Sequence, residues 1–83
     1  MTALQKIPGI GVKMANELRL LGYQQVEDLK DQDPEQMYQR LMKLHGHRID
    51  RCVLYVFRCA VYFASNTVHD PARLKWWYWK SPE

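Results

Sequence analysis

Residues 7–11 read Ile7-Pro8-Gly9-Ile10-Gly11 and run on into Val12-Lys13-Met14-Ala15. Glycine tolerates φ > 0 and lets a second backbone come close. Two glycines one residue apart, between a short apolar helical pattern and a longer one, predict a tight hairpin. Its amide N–H groups then point outward at the start of the second helix. Such donors have no intrahelical partner and stand at the positive end of the helix dipole, which makes an anion site. For a small basic protein the natural anion is a phosphate. Lys13 opens the second helix, where it either faces the same phosphate or is a solvated helix residue. The bland alternative for the whole stretch is an ordinary turn between packed helices.

Other chemistry-bearing residues are sparser. His45-Gly46-His47 is an HxH, but a structural zinc site needs four ligands, and loop histidines are the plainer reading. Asp31, Asp33 and Glu35 form an acidic cluster that helix capping and the helix dipole account for. Cys52 and Cys59 are seven residues apart. On a helix they share a face about 10 Å apart along the axis, too far for a disulfide. They read as reduced, buried thiols of a cytoplasmic protein. No Ser-His-Asp set, P-loop or paired-carboxylate motif is visible, so the expectation is a non-enzymatic chain without cofactor or side-chain metal site.

The elements that must position these groups are helical. Thr2-x-x-Gln5 fits a capping box, and Pro8 stops that first short helix. A second helix is predicted from about Val12 to Leu21, with Met14, Ala15, Leu18 and Leu21 on one face and Gly22 at C′. Residues 25–30 read as a short connecting helix with Val26 and Leu29 inward. Asp33-Pro34-Glu35-Gln36 is a strong start signal, and Met37, Leu41 and Leu44 then share a face until Gly46. The next helix runs from about Ile49 to Ala64 or Ser65. Its stripe is Ile49, Cys52, Val53, Val56, Phe57, Ala60 and Phe63, with Leu54, Tyr55, Val61 and Tyr62 off it. Val53, Val56, Phe57, Ala60 and Phe63 of this stripe are expected to face Met14, Leu18, Leu41 and Leu44. Asp70-Pro71 starts a last short helix ending near Trp76 or Trp77.

The 83 residues make one domain, 1–83, and the 47% apolar content suffices for one core. A net charge of +3 and a pI near 9.0 suit a polyanion partner. No uncharged run is long enough to span a membrane, and no signal-peptide pattern is seen.

With Leu4, Ala15 and Leu18 in register, Leu4-Gln5-Lys6-Ile7-Pro8-Gly9-Ile10-Gly11 resembles the helix-hairpin-helix family. That resemblance implies sequence-independent contact with the DNA backbone. It also implies that carbonyls at Gln5, Ile7 and Ile10 can hold a monovalent cation bridging to the phosphate. Leu44-His45-Gly46-His47-Arg48 aligns with Ile7-Pro8-Gly9-Ile10-Gly11, 37 residues later. The family's paired arrangement then implies an all-α tandem of two such units. It has five main helices, a pseudo-two-fold axis and an aromatic tail packed on it. Residues 2–21 form the first unit, 24–30 the connector, 34–64 a degenerate second unit and 70–83 the tail. In the second hairpin His47 and Arg48 replace an apolar residue and a glycine, so side chains of Arg48 and Arg51 would substitute for amides.

Asp33-Pro34-Glu35-Gln36-Met37-Tyr38, Asp50 to Ala60, and Leu74-Lys75-Trp76-Trp77 look like the small bacterial pathogenicity-locus proteins, some labelled for mitomycin resistance. The label implies a link to DNA damage. The leading expectation is a DNA-binding module contacting phosphates through Gly9, Ile10, Gly11 and Lys13, with Arg48 and Arg51 as a second contact. The partner is duplex or single-stranded DNA without sequence preference. The alternative is a protein-interaction domain that keeps the fold and has lost DNA binding. For the tail Lys75-Trp76-Trp77-Tyr78-Trp79-Lys80 three readings stay open: a cover for the core, a platform for single-stranded bases, or a partner interface through Trp76–Trp79.

Overall fold

The computed structural model describes residues 3–80, so Thr2 of the expected capping box and the end of the 70–83 tail lie outside the described residues. Among the described residues there are three α-helices, α1 (Val12–Leu20), α2 (Pro34–His45) and α3 (Arg51–Ser65). Four short 3-10 turns complete the chain: Ala3–Lys6, Val26–Leu29, Pro71–Leu74 and Trp76–Trp79. The architecture is all-α, but the expected tandem of five main helices is not what forms. Three segments read as helices are single turns.

Each turn has a local cause. Ala3–Lys6 runs into Pro8, and Gly9 at φ 84 reverses the chain. Val26–Leu29 is closed at its start by Asp28, whose carboxylate accepts from the Gln24 and Gln25 amides, both at 2.9 Å. It is closed at its end by Lys30 at ψ 127 and Asp31 at φ 60. The tail is cut in two where Lys75 becomes extended, at ψ 123. With one hydrogen bond to offset several fixed residues, such pieces do not propagate into α-helix.

The three α-helices follow their terminal chemistry. α1 ends in a Schellman motif: the Gly22 amide donates to Arg19 O at 2.9 Å and the Tyr23 amide to Leu18 O at 3.0 Å. α2 starts with Asp33 accepting from the Glu35 amide at 2.9 Å and Pro34 in the first turn. It stops at Gly46 in the left-handed region, φ 73.

α3 is the central element. It packs against α2, the Val26–Leu29 turn and both tail turns. Phe57, Leu54, Cys59 and Ala60 are fully buried, together with Leu4, Leu18, Leu29, Met37 and Leu41. Two expectations for this face need correction. Leu44 is 55% exposed, because the stripe it was to join ends one turn earlier, at Leu41. Cys52 is exposed and only Cys59 is buried, because Asp50 caps α3 and so puts Cys52 in an uncovered first turn. Both are free thiols.

The tail covers the rest of α3. Arg58 donates to Trp79 O at 2.9 Å, the Cys59 thiol to Arg73 O at 3.5 Å, and the Trp79 ring lies 5.6 Å from that of Tyr62. Trp76 and Trp79 are half-buried, whereas Trp77 and Tyr78 face solvent.

Candidate functional site

Ile7-Pro8-Gly9-Ile10 is a type II β-turn: proline at the second position, Gly9 at φ 84 in the third, and the Ile10 amide donating to Ile7 O at 3.1 Å. Ile10's N–H therefore closes the turn, and its side chain is buried. Ile7 O keeps a second lone pair.

Gly11 is the N-cap residue of α1, at φ −93 and ψ −170, with no side-chain cap. Its backbone is ordinary extended chain, and a Cβ built there meets nothing within 4 Å. The fold does not require glycine at this position. A glycine cap leaves the first-turn amides of α1 uncovered. Gly9 differs: its positive φ demands glycine, and its Cβ position lies 3.8 Å from Trp76 Cδ1.

Gly11 and Lys13 line a cleft of about 620 Å³ whose opposite wall is the α2–α3 connection, His45, His47 and Arg48. Met14, Leu41, Ile49 and Val53 form its apolar floor. The two sequence-aligned turns thus meet at one cleft. Lys13 and Arg48 are exposed there, and the carboxylates of Glu17 and Asp50 line the same cleft. Glu17 contacts His45 Nε2 at 2.6 Å, linking α1 to the end of α2. Asp50 accepts from the Cys52 amide at 2.8 Å, and that bond holds its carboxyl below the usual value. The same carboxylate, by hydrogen bonding to the Cys52 thiol, pushes that thiol up. His47 Nδ1 sits 2.9 Å from Arg48 O, and its ring is 5.7 Å from that of His45.

Arg51, expected as a contact with Arg48, is not among the residues that line the cleft. Its guanidinium lies over the Tyr55 ring at 5.9 Å and Nε points to Tyr55 OH at 3.4 Å. The acidic cluster is built into the scaffold as well. Asp33 caps α2, Glu35 pairs with Arg58 at 2.7 Å, and the Asp31 amide donates to Ser65 Oγ at 3.0 Å.

Sequence reasoning missed the apolar floor, the Glu17–His45 link and the Asp50 cap. Only the last had a local signal, an Asp directly ahead of an apolar periodic run. No helix among the described residues is long and apolar enough to cross a membrane.

The family model described as "Pathogenicity locus" matches residues 1–83. Among curated proteins, the chain is 31% identical over 80 residues to "Mitomycin resistance protein McrB" of Streptomyces lavendulae, covering 96% of this chain and 71% of that relative. No solved structure matches at a significant level. A match that spans the whole chain, joined to a relative sharing nearly a third of its residues, means that the chain belongs to the pathogenicity-locus family.

Proposed function

We propose that the chain is a non-enzymatic module of the cytoplasm that holds DNA, duplex or single-stranded, by its backbone phosphates. The observation that carries this reading is Gly11, a glycine that the fold does not need, at the uncapped start of α1. Lys13 and Arg48 flank it on the same cleft. The first-turn amides of α1 donate to a phosphate oxygen, and the two side chains add charge without reading bases. In this respect the Ile7–Gly11 turn is of helix-hairpin-helix kind. The relative's printed association with mitomycin resistance agrees with a role in DNA damage, and the free thiols agree with a reducing compartment.

Fluorescence anisotropy at low salt tests this. Binding is independent of sequence, and its logarithm falls against log salt with a slope of roughly −2 for two cations. Lys13→Glu weakens it and flattens the slope by about 1, without unfolding the chain. A wild-type chain that binds no DNA at tens of micromolar is instead a protein-interaction domain. That second reading is favoured by Trp77 and Tyr78, which are 56% and 49% exposed beside one another.

A further inference from the structure

We infer that the Trp76–Trp79 turn is a stacking platform for single-stranded DNA, with Trp77 and Tyr78 as its rings and Arg73, Lys75 and Lys80 as its cations. This deepens the phosphate reading, on which the choice of polymer rests, and names the form of DNA that is held. A 3-10 turn eclipses residues three apart, so its four aromatics divide between two sides. Trp76 and Trp79 are half-buried and hold the tail to the body, while Trp77 and Tyr78 face solvent. Each outer ring carries its own cation. Lys75 Nζ lies 5.9 Å from the centre of the Trp77 ring, and Arg73 Cζ lies 5.8 Å from that of Tyr78. Lys75 and Lys80, both exposed, bound the turn. The carboxylate within residues 70–80 is that of Asp70, which caps the Pro71–Leu74 turn and stands 4.0 Å from Arg73 Nε.

Open π-faces interleaved with positive charge complement a strand whose bases are free to unstack: a base lies on each ring and its phosphate meets the cation beside it. A duplex keeps its bases stacked and offers the rings nothing. A protein partner suits these rings less well. A stable interface takes roughly 800 Å² from each side and has an apolar centre poor in lysine, and two rings set among three cations supply neither. Placement points the same way. The Trp77 ring centre is 5.7 Å from that of Trp76, and Trp76 Cδ1 lies 3.8 Å from the Cβ position of Gly9. The rings therefore adjoin the Ile7–Gly11 turn, where the phosphate reading puts its contact.

Anisotropy with three probes of equal length decides the matter: an oligothymidylate, an abasic strand and a duplex. The abasic strand offers the same phosphates without bases. The full wild-type chain binds oligothymidylate about tenfold or more tighter than the abasic strand, and tighter than duplex. Oligothymidylate also quenches the tryptophan fluorescence, to which Trp77 contributes as the exposed tryptophan of the three, and the abasic strand does not. Trp77→Leu keeps apolar bulk but removes the ring, and brings oligothymidylate down to the level of the abasic strand. Trp77→Phe keeps a ring and most of the preference. The wild-type comparison needs no variant, so it stands even if a variant fails to fold. Equal binding of oligothymidylate and abasic strand, or tightest binding of duplex, overturns the platform and leaves the phosphate reading intact. Equal binding joined to dimers that Trp77→Leu abolishes makes the turn a protein contact and overturns the platform as well. Binding of no probe overturns both readings.

Discussion

The two turns that align in sequence end in opposite ways. After Ile7–Ile10 the chain enters α1 through Gly11, which offers no side chain to the helix start. After Gly46 it enters α3 through Asp50, whose carboxylate bonds the Cys52 amide. One helix N-terminus is left open and the other is satisfied from within. The difference teaches that a repeat in sequence does not duplicate a site. A single carboxylate at the N-cap is enough to satisfy a first-turn amide from within the chain. The second turn contributes Arg48 and two imidazoles to the cleft wall.

The largest expected effect is on the scaffold that holds the two turns together. Phe57 is fully buried on the helix that follows the second turn. Phe57→Ala is expected to cost about 3–5 kcal/mol, comparable to the whole stability of a small domain. Chemical denaturation reads this directly, and a loss under about 1 kcal/mol contradicts it.

The comparison itself breaks if the first turn is converted into the second. Gly11→Asp introduces a carboxylate where there is space for it. It is expected to stabilise α1 by a few tenths of a kcal/mol while lowering DNA affinity at least about tenfold, a 1.4 kcal/mol loss. Gains in melting temperature with losses in affinity are the signature. Unchanged affinity means that the α1 amides are not the contact.

Within the first turn, the two glycines separate conformation from contact. Gly9→Ala places an L residue at φ 84 and is expected to cost about 1–2 kcal/mol. Gly11→Ala is expected to leave stability within about 0.5 kcal/mol and to reduce DNA binding. Thermal melts and anisotropy on both variants check the contrast.

The smallest effect concerns acid. The Cys52 amide lowers the Asp50 pKa, so the folded-state value lies below the unfolded one. The capping contribution is fully present above the usual carboxylate range and is lost as pH falls through the lowered value. Asp50→Asn is expected to make the loss of stability on acidification shallower. An acid-unfolding profile identical to wild type contradicts this.

Much of the fold was legible in residues with strong local chemistry. Asp33-Pro34 marks the start of α2, Gly22 the end of α1, and the long stripe of α3 its buried face. The short segments were not legible as 3-10 turns. Four residues carry no periodicity, and what limits them is a neighbouring backbone angle, such as Asp31 at φ 60. Cys52 and Leu44 sit on the right helical period but beyond the reach of covering elements, which only tertiary packing reveals. For the site, Gly11, Lys13 and Arg48 are visible in the sequence as a glycine turn with flanking cations. That they share a cleft with Met14, Leu41, Ile49 and Val53 follows from the crossing of helices. Arg51 rests on Tyr55, an i,i+4 pairing on α3 that its spacing allowed and the reading passed over.

The Trp76 ring beside Gly9 has a consequence for how the protein comes into being. On the ribosome the turn emerges early, and the ring that packs on it follows 67 residues later. Closing so long a loop adds little entropy cost beyond that of a shorter one, but it cannot happen before Trp76 has emerged. Nascent chains released short of Trp76 carry the same turn, glycines and lysine with one flank of the turn bare. That flank of the turn is therefore covered only once Trp76 has emerged.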